Sequence, residues 1–385
     1  MNSNNSPFLI ALIQELMKNM SNWYGRENWD PDLFGAYETT YKSAMVSKFN
    51  ALFSSRLAIL PVTWNQDLIQ NVSRIQDSIE GLAYVYDLLA DESSKSTLVK
   101  LLTFRLMGHK KVKLPLNTES YWSQRRGTEA LINGKETINI NFLDWRLHRF
   151  ALDKIGYPIE VFFLPAGVMA TFILKQYEYR KRTPEIKAQE GDYVIDGGGC
   201  WGDTALYFAH EVGEQGKVFT FEFASDNLKV FNRNMSLNPQ LSSRIEVFPK
   251  AMWENSGEKI SYSADGPATS LAINQHQQNS KNSSQVLTVS IDDFVREKKL
   301  PRVDFIKMDI EGAELGALKG AEETLRTFRP KLGISVYHKE NDFIEIPTYL
   351  DKLGLGYKFF LDHFTICGNE TVLFATTRVN QVGGL

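Results

Sequence analysis

Val194-Ile195-Asp196-Gly197-Gly198-Gly199-Cys200-Trp201-Gly202-Asp203 decides how this chain is read. Two β-branched apolar residues run into an acid and a glycine-rich turn, and a periodic apolar segment follows from Thr204. A strand, a tight glycine turn and a helix N-terminus in that order make a site where a ligand meets backbone amides and a helix dipole. A side chain at Gly198 or Gly202 is expected to block that approach. Read literally, Gly197, Gly199 and Gly202 also fit G-x-G-x-x-G, the dinucleotide pattern. Asp196 argues against a pyrophosphate, because a carboxylate at the strand tip repels phosphate and suits a cationic sulfonium or amino group. A plain tight turn is the third reading of the same ten residues.

Downstream, the chain alternates strand and helix patterns, which predicts a mostly parallel sheet. Strands are expected at Tyr193–Ile195, Lys217–Phe221, Ile245–Pro249, Asp304–Met308 and Leu332–Tyr337. Helices are expected at Thr204–Val212, Asp226–Leu237, Ile291–Lys298, Ala313–Thr327 and Ile344–Leu353. Tyr357–Leu361 and Thr371–Thr376 close the pattern as an antiparallel edge hairpin. Gln275–Gln285 is rich in Gln, Asn and Ser and reads as a surface loop.

Three further strand ends carry polar residues. Phe219-Thr220-Phe221-Glu222 ends the next strand 26 residues after Asp196, and an acid there can accept hydrogen bonds from ribose hydroxyls. Asp304-Phe305-Ile306-Lys307-Met308-Asp309-Ile310-Glu311-Gly312-Ala313-Glu314 runs an apolar strand straight into carboxylates. Glu314 is assigned to capping the helix that follows; Asp309 and Glu311 are functional candidates. His338, after the next strand, is a candidate general base or metal ligand near neutral pH.

Upstream, residues 1–115 read as a helical region. Leu9, Leu12, Ile13, Leu16 and Met17 recur at helical spacing, as do Leu82, Tyr86 and Leu89, then Leu98, Leu101, Leu102 and Leu106, with Gly108 as a stop. Pro61 and Pro115 punctuate it. Residues 116–190 read as a connecting segment, with a hairpin turn at Asn133-Gly134, a strand at Glu160–Leu164 and a helix from Val168 to Tyr179 ended by Thr183-Pro184. Residues 191–385 then form one α/β domain.

Composition bounds the rest. The chain has 385 residues, 43% hydrophobic and 23% charged, with a net charge of -3. That balance fits a globular protein and gives no reason to expect nucleic acid or a membrane surface as partner. Two cysteines, Cys200 and Cys367, are too few for a disulfide framework and fit the cytoplasm. Phe8–Ile13 has no preceding basic residue, so it reads as a helix face rather than a secretory signal.

These motifs resemble the FkbM family of methyltransferases over roughly Val168 to Thr377. Asp196, Gly198, Gly202 and Asp203 match the family's D-x-G-x-x-x-G-D turn. Asp309-Ile310-Glu311-Gly312-Ala313-Glu314 with Leu318, Lys319 and Gly320 matches its D-x-E-G-A-E…L-K-G string, and Ser290-Ile291-Asp292-Asp293-Phe294 is similar to its L-D-D-F element. Val85–Arg105, with Leu89-Ala90-Asp91-Glu92-Ser93, resembles a piece found upstream in longer members. Cys200 stands where members often have Asn, and Glu222-Phe223 where they have Glu-Pro.

The resemblance implies a Rossmann-like class I fold with a seven-stranded sheet. It also implies S-adenosylmethionine as cofactor and methyl transfer to oxygen on a sugar or natural-product acceptor. The implied cofactor-binding set is Asp196, Gly197, Gly198, Gly202, Asp203, Glu222, Phe223, Ala251 and Asp309. In-line displacement at a sulfonium draws on alignment. A positioned base, His338 or Asp309 with Glu311 in support, adds about 10²–10⁴-fold. Alternatively Asp309, Glu311 and His338 hold a divalent cation that acidifies the hydroxyl. The helical region and Gln275–Gln285 are expected to wall the acceptor, or the helices to form a homodimer face. Two other classes remain beside this one: a nicotinamide-dependent oxidoreductase using G-x-G-x-x-G, and a binding module without turnover.

Overall fold

The computed structural model describes residues 6–29, 66–140, 142, 145–263, 266–271 and 284–378. Pro61 and most of the Gln275–Gln285 loop lie outside the described residues. Ser284 and Gln285 are described and begin a strand.

Fourteen strands are described: β1 (Ile132–Asn139), β2 (Arg146–Ala151), β3 (Glu160–Phe163), β4 (Tyr193–Gly197), β5 (Lys217–Phe221), β6 (Ile245–Phe248), β7 (Ala251–Met252), β8 (Lys259–Ser263), β9 (Ser270–Leu271), β10 (Ser284–Val289), β11 (Phe305–Met308), β12 (Lys331–Ser335), β13 (Lys358–His363) and β14 (Thr371–Thr376). They form a three-stranded sheet β1-β2-β3, a four-stranded sheet β7-β10-β8-β9 and a seven-stranded sheet β13-β14-β12-β11-β4-β5-β6. The pairs β12–β11, β11–β4, β4–β5 and β5–β6 are all parallel. The fold is α/β with a large, mostly parallel sheet, as the motif spacing predicts.

Burial explains the strand sequences. In β11 and β12 every residue is buried, and in β4 and β5 all but the first. Parallel strands covered on both faces read as continuous apolar runs rather than alternating ones. The exception that matters is Lys307, a lysine in the middle of β11.

The chain order places the site. From β4 the chain steps outward through β5 to β6, then returns to add β11 on the other side of β4. The crevice between the C-terminal ends of β4 and β11 is therefore a topological switch point, where open α/β sheets bind ligands. The glycine turn leaves β4 there and Asp309 leaves β11 there.

Two compact units share the chain: residues 1–123 with 336–373, and residues 124–335 with 374–385. By contacts, residues 336–373 group with the N-terminal helices, although β13 and β14 belong to the seven-stranded sheet. Within that first unit, the helices Pro7–Asn19, Gln66–Leu88 and Glu92–Met107 form as the periodicity predicts. Asp91 caps the third, accepting from Ser94 N–H at 2.8 Å. Leu361 N–H of β13 donates to Ser94 Oγ at 2.9 Å, and Ala90 N–H to Phe359 O at 2.8 Å. Those bonds tie a C-terminal strand to N-terminal helices, which composition cannot reveal. Among the described residues, no helix is long and apolar enough to cross a membrane.

Three local expectations are corrected in the second unit. Asn133-Gly134 is not a hairpin turn; both lie inside β1, where Gly134 takes φ 85 and the register with β2 shifts between Ile132 and Thr137. That is the glycine of a bulge. The helix expected through Tyr179 is the short turn Pro165–Val168 and a π-helix Met169–Ile173, because Lys175 turns left-handed at φ 56. The helix expected over Ala313–Thr327 breaks into Glu314–Lys319 and Glu322–Phe328. Asp292 N–H takes the Gly320 carbonyl at 2.9 Å, and a Cβ on Gly320 would stand 2.3 Å from the Trp253 carbonyl.

Candidate active site

The site lies wholly within the second unit. The glycine turn is shaped by contacts with its own sheet. Gly198 takes φ 81, and a Cβ there would stand 1.9 Å from the Asp309 carbonyl oxygen. Gly202 takes φ 87 as N-cap of the helix Asp203–Glu211, and its Cβ would meet Met235 and Phe231. Glycine is thus required by packing of the turn against its neighbours. Gly198 also lines the cleft, whereas Gly202 does not.

The amides of the turn are also committed. Gly198 N–H and Gly199 N–H both donate to the Phe221 carbonyl at 3.0 Å. Neither of these two is left to cradle a pyrophosphate.

Asp196 points into the protein. It is fully buried, accepts from Thr204 Oγ1 at 3.0 and 3.1 Å and from Thr220 Oγ1 at 3.2 Å, and pairs with Lys307 Nζ at 3.1 Å. The proposed direct attraction of a cationic ligand by Asp196 is therefore corrected: its charge is met internally. Lys307 stands opposite Asp196 in the β11–β4 register. Its Nζ also donates to Gly197 O at 2.9 Å and Gly198 O at 2.6 Å, so each of its three protons has an acceptor. Burial alone would lower the Lys307 pKa, but Asp196 and then Asp309 outweigh it and hold the ammonium above its usual range.

Asp309 leaves β11 at the cleft. Its Oδ2 accepts from Tyr177 Oη at 2.8 Å, and Lys307 Nζ lies 5.4 Å from the centre of the same tyrosine ring. Glu311 lines the cleft in a left-handed conformation, φ 54. A non-glycine residue held there is strained, and such strain gathers at functional sites. Glu314 is buried and accepts from Ile310 N–H at 2.8 Å, a bond to the turn before its helix; the N-cap is Ala313 and no side chain caps the helix.

Glu222, at the tip of β5, is 6% exposed and lines the cleft. Its Oε1 accepts from Phe223 N–H and Ala224 N–H, both at 2.7 Å; Oε2 receives Asn227 Nδ2 at 3.3 Å. Burial pushes the Glu222 pKa up to about 7, against these hydrogen bonds, which pull it down. Asp203 lies off the cleft, accepting from Thr171 Oγ1 at 2.8 Å, and burial raises its pKa to about 6. Cys200 lines the cleft, and burial pushes its thiol well above the usual range.

The cleft holds about 520 Å³ of empty space, its open mouth included. Gly198, Glu222, Phe223, Ala251, Asp309 and Glu311 all line it. Asp196, Gly197, Gly202 and Asp203 stand behind that lining as support. His338 is 2% exposed, three residues beyond β12, in the first unit. Sequence reasoning gave no role to Lys307, Tyr177 or Asn227. A lysine inside a four-residue apolar strand, two positions before Asp309, was the available signal for the first.

Residues 185–359 match the Methyltransferase FkbM domain. A curated relative, Methyltransferase 1 of Beauveria bassiana (strain ARSEF 2860), is 23% identical over 211 residues, 50% of this chain and 83% of that protein. Among solved structures, methyltransferase FkbM from Methylobacillus flagellatus KT aligns with a TM-score of 0.49 at 20% identity, covering 79% of this chain and 60% of that one. A SAM-dependent O-methyltransferase from Thermotoga maritima aligns with a TM-score of 0.31 at 15% identity, covering 51% of this chain and 63% of that one.

Proposed function

Residues 185–359 are an FkbM methyltransferase domain, and on that premise we propose that the chain moves a methyl group from S-adenosylmethionine to a hydroxyl oxygen of a sugar or natural-product acceptor. The observation that carries the cofactor assignment is Glu222. Its carboxylate stands at the tip of β5 and lines the cleft, where a carboxylate oxygen can accept from a ribose hydroxyl beside its own hydrogen bonds from Phe223, Ala224, Asn227 and Cys200. Phe223, Met252, Leu271 and Ile310 beside it offer apolar walls for an adenine ring. When bound, the cofactor supplies an electrophilic methyl on a cationic sulfur.

The remaining chemistry belongs to the chain. Asp309 accepts the proton of the acceptor hydroxyl, while Tyr177 holds its carboxylate through Oδ2. Glu311, on the same lip, orients the acceptor. Lys307 holds the glycine turn and stabilises the Asp309 carboxylate. His338 stays a candidate base on its sequence position. A divalent cation at Asp309 and Glu311 is the less favoured arrangement, since the neighbouring ammonium of Lys307 opposes a second positive charge there. Gly197, Gly202 and Asp203 serve the cofactor indirectly, by shaping the turn.

Calorimetry with S-adenosylmethionine and with NAD(H) tests the cofactor. Binding of NAD(H) alone overturns the proposal, and Glu222→Ala is expected to abolish S-adenosylmethionine binding. Mass spectrometry of a metabolite extract incubated with protein and deuterated-methyl cofactor then identifies the acceptor. Label on nitrogen or carbon overturns the hydroxyl assignment. Unchanged turnover in a chelator supports a base; loss restored by a divalent ion supports the metal.

A further inference from the structure

The first helix carries two apolar faces where a surface helix needs one. Phe8 and Leu12 are buried on the inner face. On the opposite face Ile10, Ile13, Met17 and Met20 are 46, 53, 66 and 57% exposed. Their spacing of three, four and three residues keeps them on one stripe about 15 Å long. Trp23, 66% exposed, extends the stripe beyond the helix end. Five large apolar side chains gathered this way are not the scattered exposure that ordinary surfaces show.

The stripe ends among cations. The segment after the helix is pinned to residues 109–112: Tyr24 N–H donates to Lys110 O at 2.8 Å, and Asn28 Nδ2 to His109 O at 2.6 Å and Val112 O at 2.7 Å. This brings Lys110 and Lys111 over the Trp23 ring, at 5.6 and 5.3 Å from its centre. Lys18 lies on the helix itself and Lys113 is exposed nearby in sequence. Residues 6–29 and 108–118 together carry five basic side chains, Lys18, Arg26, Lys110, Lys111 and Lys113, against Glu15 and Glu27. The region is therefore positive in a chain whose net charge is -3, and the whole-chain charge conceals it.

We infer that this face rests on an anionic lipid surface, with the stripe Ile10, Ile13, Met17 and Met20 entering the acyl boundary and Trp23 at headgroup level. A Trp at the polar edge of an apolar stripe, rimmed by lysines, is the arrangement that lies in a membrane interface. Charge decides between occupants. A second copy would set these cations against their own symmetry mates, since a two-fold interface opposes like patches. An anionic headgroup layer attracts each of them. The contact is peripheral and calls for no membrane-spanning segment.

Cosedimentation of the full chain tests this, with vesicles of phosphatidylcholine alone and of phosphatidylcholine and phosphatidylserine at about 7:3. Binding to the anionic vesicles is expected to be at least about tenfold tighter, and weaker in high salt. Ile13→Glu with Met17→Glu is expected to abolish it. Lys110→Gln with Lys111→Gln is expected to weaken it by at least about tenfold. Leu287→Glu, an exposed apolar position in the second unit, is expected to leave it unchanged. All substituted side chains are at least partly exposed, and circular dichroism checks that each variant folds. Equal pelleting of wild type and the Ile13/Met17 variant overturns the inference, as does absence of binding to either vesicle. A lipid-free dimer that the same variant makes monomeric also overturns it, and assigns the face to a second copy.

Discussion

Lys307 and Asp196 face each other in register across β11 and β4, with Nζ and Oδ1 3.1 Å apart and both side chains out of water. The pair couples two motifs that are 111 residues apart, because the same ammonium holds the carbonyls of Gly197 and Gly198. Removing one partner strands the other. Lys307→Met is expected to cost about 3–5 kcal/mol in denaturant unfolding, the range for an orphaned buried charge. The double variant Asp196→Asn/Lys307→Met is expected to recover part of the loss. Simple additivity of the two single variants would refute the coupling.

Gly198→Ala separates two costs. Gly198 at φ 81 and Gly134 at φ 85 share a backbone conformation, yet an added Cβ meets the Asp309 carbonyl at 1.9 Å in one and nothing within 4 Å in the other. Gly134→Ala should therefore show only the conformational penalty, about 1 kcal/mol or somewhat more. Gly198→Ala should exceed it by at least about 1 kcal/mol and weaken cofactor binding as well, because relief of the clash moves the lip that bears Asp309. Equal losses in unfolding experiments would mean that the close approach has no consequence.

How much of this was legible in the sequence depends on the range of the cause. The strands β4, β5, β11 and β12 were readable because burial on both faces writes itself as an apolar run. The switch point was readable because strand-end acids recur at Glu222 and Asp309. The inward turn of Asp196 was not, since it depends on which β11 residue stands opposite, and pairing register is not written locally. Gly134 misled for the opposite reason: Asn-Gly marks a positive φ, and a bulge demands the same conformation as a turn. Tyr177 was hidden by Lys175, whose left-handed turn ends a pattern that otherwise continues as a helix to Tyr179.

Glu222 makes the ligand-free protein pH-sensitive. Its pKa is about 7 in the fold against 4.5 ordinarily, so between those values the native state binds more protons than the unfolded chain. Stability must then fall as pH rises through that window, by up to about 3 kcal/mol from this group. Asp203, raised from 3.8 to about 6, acts in the same direction at lower pH. Glu222→Gln is expected to flatten the upper part of the dependence in thermal melts. A ribose donor favours the carboxylate, so S-adenosylmethionine binding near pH 7 is expected to release protons. Calorimetry in buffers of different ionisation enthalpy measures that number; zero release would sink the ribose assignment.

Tyr177→Phe asks whether Asp309 is held for proton transfer. The hydroxyl donates to Oδ2 at 2.8 Å, which stabilises the charged carboxylate and restrains its orientation. Without it Asp309 becomes more basic but less well aligned. Its acid limb in the pH profile of kcat/KM should move to higher pH, and kcat should fall by about tenfold or more, a loss typical of a misplaced general base. Affinity for S-adenosylmethionine should change little, because Tyr177 does not line the cleft. A fall in cofactor affinity with an unmoved acid limb would make Tyr177 a packing residue, and proton transfer would then have to be sought at His338.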